Sequence, residues 1–88
     1  MALRVLLIDD DARLAELLSG YLAQHDVVLG HARDGVTGLA RLDADAFDAV
    51  LLDVMMPGVD GLEVLRRLRH KSRLPVIMLA ARGDESDR

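Results

Sequence analysis

The chain has 88 residues, a formal net charge of −4 and no cysteine, which leaves room for one small domain and excludes disulfides and thiolate metal sites. Hydrophobic residues make up 51% of it but aromatics only 2%, Tyr21 and Phe47, so the core must come from Leu, Val, Ile, Met and Ala. No apolar run approaches the roughly 18 residues that span a bilayer, Met1 to Ile8 is too short for a signal-peptide core with its cleavage site, and the acidic balance argues against nucleic acid as a direct partner. The expectation is a soluble cytoplasmic protein with no membrane association.

Leu3 to Ile8 is a short apolar run cut off by Asp9, Asp10 and Asp11, the pattern of a buried strand. From Ala12 to about Gln24 the period changes. Leu14, Leu17, Leu18, Tyr21 and Leu22 recur at helical spacing, predicting an amphipathic helix with Asp11 as N-cap. Val27 to His31 reads as a second strand, and Asp34-Gly35 opens a second helix through Val36, Leu39, Ala40 and Leu42. Phe47 to Leu52 is a third strand ending on Asp53, followed by the turn-rich loop Met55 to Gly61, in which Asp60 can cap the next helix. That helix takes Leu62, Leu65 and Leu68 as its apolar face, with Arg66, Arg67 and Arg69 where cations suit the macrodipole. Pro75 introduces a fourth strand from Val76 to Leu79, and Gly83 to Arg88 resembles the first turn of a further helix.

Strand and helix alternate, and the strands are continuously apolar, which predicts a doubly wound α/β domain with a parallel sheet covered on both faces. Asp9 and Asp10 leave the first strand and Asp53 the third, so in a flavodoxin-like strand order the three meet at the edge where such sheets bind ligands. Three neighbouring carboxylates repel unless a cation sits among them, and oxygen donors suit Mg²⁺, which also accepts phosphate oxygens. Aspartates after strands also serve as helix caps or stay solvated, and Asp11 is expected to do only that. The set Asp9, Asp10 and Asp53 reads as a metal-assisted phosphoryl site.

Three segments carry a resemblance: Leu-Leu-Ile-Asp9-Asp10-Asp11, Leu-Leu-Asp53-Val-Met-Met-Pro57-Gly-Val-Asp-Gly61 and Arg-Leu-Pro75-Val-Ile-Met-Leu, continued by Ala-Arg-Gly-Asp-Glu-Ser-Asp-Arg88. They are similar to the CheY-like receiver domains of two-component response regulators, nearest the type joined to a winged-helix DNA-binding domain. The resemblance runs the length of the chain in one register. It implies that Asp53 accepts a phosphoryl group from a sensor histidine kinase, that Asp10 binds Mg²⁺ directly and Asp9 through water, and that the main-chain carbonyl of Met55 completes the protein ligands. Pro57 and Gly61 would shape the loop and start the helix. Residues 1–88 are then a single receiver domain lacking its fifth strand and last helices, with DNA reached only through an output domain absent from this chain.

Two departures from the pattern follow. Receivers usually carry Thr or Ser at the end of the fourth strand, where Ala80 stands here without a hydroxyl. The family's fifth strand bears a lysine that pairs with the phosphate, and Lys71, the only lysine of the chain, falls at a helix end on the other edge. Poor phosphorylation of this chain on its own is therefore expected. The uncharged stretch Val76 to Ala80 would form an exposed edge through which copies of the chain self-associate.

His25, His31 and His70 show no mutual ligand spacing and read as solvated or strand-end residues; Met55, Met56 and Met78 read as packing. The cluster Arg66, Arg67, Arg69, Lys71 and Arg73 reads as a solvated helix end. Two rival functions remain. One is an interaction or dimerisation fragment of receiver ancestry that takes no phosphate. The other is a haloacid-dehalogenase-type phosphatase with Asp9 as nucleophile and Asp11 as acid/base, which leaves Asp53 unexplained and meets Arg13 where Thr or Val is preferred. The favoured receiver is not itself an enzyme.

Overall fold

The computed structural model describes residues 2–54 and 61–79. Seven elements follow in order: β1 (Leu3–Ile8), α1 (Ala12–Ala23), β2 (Val27–Ala32), α2 (Gly35–Ala44), β3 (Ala49–Asp53), α3 (Gly61–Arg69) and β4 (Val76–Leu79). All strand pairings are parallel, in the order β2-β1-β3-β4. The chain thus steps one way from β1 to β2 and the other way from β2 to β3 and on to β4. With right-handed crossovers this reversal puts α1 on one face of the sheet and α2 and α3 on the other.

The core lies under α2 and α3. Leu6 and Ile8 of β1, Val50 and Leu52 of β3, and Val64 and Leu68 of α3 are buried together with Ala32 and Phe47, and Leu39, Leu42, Leu65, Val76 and Met78 close around them. Leu7 points to the opposite face by strand alternation and is also fully buried. Both faces of the central strand are therefore covered, which is why β1 carries an unbroken apolar run.

Three details of the sequence expectation change. The third strand starts at Ala49 rather than Phe47: Phe47 is tucked beneath the sheet edge with the Arg4 and Arg41 guanidinium groups 4.9 and 5.7 Å from its ring centroid, and Asp48 meets Arg4 with both its amide and its carboxylate. In α1, Leu17 and Tyr21 face outward, 67% and 58% exposed, while Ala15 is buried. The sector turned to the sheet is Leu14, Ala15, Leu18 and Leu22, because a small residue lets the helix sit close to β2. In α3 the buried stripe is Gly61, Val64 and Leu68, with Leu65 half-buried beside it, and Leu62 is exposed. The expected N-cap Asp60 and the expected turn at Gly83 to Arg88 lie outside the described residues.

Candidate functional site

The parallel register pairs Ile8 with Leu52, so the residues that follow, Asp9 and Asp53, leave the sheet side by side at the point where strand order reverses. Both are completely buried, while Asp10 is exposed. One carboxylate oxygen from each of Asp9, Asp10 and Asp53 lies within 4.8 Å of the others. The three predicted ligands are therefore brought together. Asp11 is not one of them: its side chain accepts from the Leu14 amide at 3.0 Å and caps α1, as Asp34 caps α2 through the Thr37 amide at 2.7 Å. That bond lowers the Asp34 pKa from its ordinary value, the side-chain hydroxyl of Thr37 and the charge of Arg33 adding to it against desolvation.

The backbone around Asp9 is fixed from several sides. Its amide donates to the Ala32 carbonyl at 3.0 Å, and its carbonyl lies 2.6 Å from His31 Nε2. A carbonyl can only accept, so Nε2 must carry the hydrogen. The Asp11 amide donates to Asp9 Oδ1 at 2.9 Å. Beneath the site Gly38 lets α2 press onto β1: a Cβ there would stand 2.5 Å from Ile8 Cδ1. Gly61 does the same for α3, since a Cβ would collide with the Val54 backbone and stand 2.9 Å from the Asp53 carbonyl oxygen. Only glycine allows these approaches. Beside Asp10 a groove of about 450 Å³ opens between Ala12, His31, Ala32, Arg33 and Thr37.

The donor set is hard and anionic, three carboxylates with no sulfur or imidazole among them. This composition fits Mg²⁺, which takes oxygen ligands and keeps several waters, and the exposed Asp10 leaves the water-accessible side that such a shell needs. The fourth expected ligand, the Met55 carbonyl, and the switch position Ala80 lie outside the described residues, as does Pro57. Lys71 is remote from the cluster in sequence position and role: its ammonium pairs with Asp43 at 2.8 Å. The His25 ring lies 4.9 Å from that of Tyr21, tilted at 52°. The sequence reading missed the link between His31 and Asp9, for which β-strand pairing across two elements is the only signal.

Fold and site together define a flavodoxin-like α/β domain with an acidic centre at its topological switch point. The response regulator receiver domain family matches residues 5–88, and the chain belongs to that family. It is 43% identical over 86 residues to the transcriptional regulatory protein ResD of Bacillus subtilis (strain 168), covering 97% of this chain and 35% of ResD; the chain thus spans about a third of that relative's length. Among solved structures it resembles the response regulator TrrA of Thermotoga maritima in complex with Mg²⁺-BeF, with TM-score 0.84, 33% identity, and 91% of this chain and 70% of that one covered. It also resembles TrrA in complex with the histidine kinase ThkA, with TM-score 0.83 and 34% identity over 90% of this chain and 69% of that one. Membership of this family takes the place of the haloacid-dehalogenase family resemblance centred on Asp9. Among the described residues no helix is long and apolar enough to cross a membrane.

Proposed function

We propose that this chain is the phosphoacceptor module of a cytoplasmic two-component response regulator, with Asp53 receiving a phosphoryl group from a sensor histidine kinase. The observation that carries this reading is the convergence of buried Asp9 and Asp53 with exposed Asp10 within 4.8 Å at the carboxyl ends of neighbouring parallel strands. Asp9, Asp10, Asp53 and the main-chain carbonyl of Met55 would hold Mg²⁺. The ion supplies positive charge against the oxygens of the transferring group.

A carboxylate oxygen of Asp53 attacks phosphorus while the P–N bond of the donor's phosphohistidine breaks, and the electron pair leaves with the imidazole, which takes up a proton. The product is an acyl phosphate, a labile signal. Ala80 offers it no hydroxyl, and a hydrogen bond to a charged group is worth about 1.5–3 kcal/mol, so the conformational response is weak. The kinase complex of TrrA supports the choice of donor, and ResD's name as a transcriptional regulator supports an output domain, outside this chain, that meets DNA.

A second reading rests on β4. Among the described residues it is one of the sheet's two edge strands, with β2 at the other edge, and Ile77 on it is 57% exposed. Pairing of two copies along this edge would make the chain an interaction module. Light scattering that reports a dimer at high concentration, lost on Ile77→Lys, supports this reading; a monomer at every concentration removes it.

The phosphoacceptor reading is tested by Mg²⁺ titration of the folded chain, with and without beryllofluoride, followed by NMR on wild type and Asp53→Asn. Saturable shifts at Asp9 to Asp11 that beryllofluoride tightens, and that Asp53→Asn loses, are expected. A folded wild-type chain that responds to neither overturns the assignment.

A further inference from the structure

We infer that His31 is a positioning residue of the acidic site, its imidazole holding the main-chain carbonyl of Asp9 and so fixing the consecutive carboxylates of Asp9 and Asp10 against Asp53. The inference rests on the reading of that cluster as a Mg²⁺ centre.

The geometry is unusual in its division of labour. β1 ends at Ile8, and its register with β2 ends at the pair Ile8 and Ala32. The Asp9 amide still finds a backbone partner in the Ala32 carbonyl at 3.0 Å. Its carbonyl, one atom group beyond the ladder, is held by a side chain, His31 Nε2, at 2.6 Å. His31 pairs with Leu7 in the register, so its ring reaches two residues along the neighbouring strand.

The peptide unit that joins Asp9 to Asp10 is planar. Holding its oxygen at one end while the Asp9 amide is held at the other leaves little rotation about the Asp9 backbone, and both acidic side chains hang from this stretch. The anchor is itself anchored: the His31 carbonyl accepts from Arg41 Nη1 of α2 at 3.3 Å. Asp9 is buried and takes a third restraint from the Asp11 amide on Oδ1, whereas Asp10 is exposed and has its direction set chiefly by the backbone. Loss of the imidazole should therefore loosen Asp10 relative to the buried pair, which weakens a site needing all three oxygens together. His31 is half-buried and also lines the groove that opens beside Asp10.

The test compares Mg²⁺ affinity, by calorimetry or NMR titration, in the full chain and in His31→Gln, His31→Asn and His31→Leu. A glutamine amide presents an N–H at the reach of Nε2, and an asparagine amide falls short of it. His31→Gln should bind nearly as wild type, while His31→Asn and His31→Leu should lose roughly tenfold, the lower end of the ~10–100-fold typical of supporting partners around a metal, with circular dichroism unchanged. Equal affinity in all four proteins, or a glutamine variant as weak as the leucine one, overturns the role of His31. A wild-type chain that binds no Mg²⁺ overturns instead the reading on which this rests. Long-range ¹H–¹⁵N spectra of wild type add a readout that needs no variant to fold: hydrogen on Nε2 is expected, and a bare Nε2 overturns the proposal.

Discussion

The two ends of the sheet handle charge in opposite ways. At the carboxyl ends of β1 and β3, like charges are gathered: Asp9 and Asp53 are buried, and with Asp10 they keep three carboxylates within 4.8 Å. At the other end, where α3 finishes, charges are spread and matched. Along α3 toward that end, Glu63 of the first turn takes Arg66 at 2.6 Å and Arg67 at 2.8 Å; at the end itself Arg69 donates to the Leu74 carbonyl at 2.7 Å and Lys71 bridges to Asp43. The matched end is what a fold needs for solubility and order, and its ion pairs are exposed and individually weak. Gathering like charges carries a repulsive cost, which fits an arrangement that serves a ligand.

Removing one charge from the gathered end should therefore stabilise the protein when no metal is present. Asp53→Asn in the presence of a chelator is expected to raise the unfolding free energy by on the order of 1–3 kcal/mol, the scale of repulsion between charges a few ångströms apart at an effective dielectric near 20. With Mg²⁺ at about 100 times its dissociation constant the wild type gains about 2.7 kcal/mol and the variant far less, so the variant's advantage shrinks sharply or reverses. Thermal melts in chelator and in Mg²⁺ measure both. A variant less stable than wild type under both conditions would break the contrast between the two ends.

The glycines sharpen the same contrast through packing. Gly38 supports the end of β1 just before Asp9, where an added Cβ stands 2.5 Å from Ile8 Cδ1. Gly20, on the outer side of α1, has nothing within 4 Å. Gly38→Ala sets a helix-propensity gain of about 1 kcal/mol against overpacking of about 1–3 kcal/mol, for a net loss near ~1 kcal/mol, and it should weaken Mg²⁺ binding by displacing Ile8. Gly20→Ala should gain about 0.5–1 kcal/mol and leave Mg²⁺ binding untouched. Denaturant titration and Mg²⁺ titration of the pair separate support of the site from support of the fold.

Much of this was legible in the sequence because its signals are local. Strand ends were marked by Asp9 and Asp53, helix starts by the caps Asp11 and Asp34, and the class by the alternation of apolar runs with helical periods. What escaped depends on distant partners. The spacing of Leu14, Leu17, Leu18, Tyr21 and Leu22 fixes a helix but not which sector meets the sheet; that was decided by β2 and by the small Ala15, leaving Leu17 and Tyr21 outside. Leu62 was misplaced for the same reason, since Gly61 and Val64 turn α3 toward Val54 and the core. Phe47 looked like the start of a strand because β propensity says nothing of Arg4 and Arg41, which hold its ring at the edge. His31 looked idle because its partner lies on another strand. Convergence of the three aspartates was readable only through the strand order that the α/β alternation implied.

The smallest effect belongs to the matched charges of α3. The Glu63 carboxyl is held below its ordinary value of 4.5 first by the Arg66 hydrogen bond and then by that of Arg67, against a smaller opposing effect of desolvation. A carboxyl whose folded pKa is depressed adds stability that is fully present above the unfolded value and disappears as pH falls through the folded one. Wild type should therefore be slightly more stable than Glu63→Gln near neutral pH. The difference should shrink once pH drops below about 4.5 and vanish when Glu63 is protonated in both states. Because both arginines are exposed, 66% and 53% at the side chain, added salt should erase the difference as acid does. The Mg²⁺ affinity of the acidic site should be the same in both proteins, and an Mg²⁺ affinity that followed Glu63 would show that the α3 ion pairs and the acidic site do not act separately.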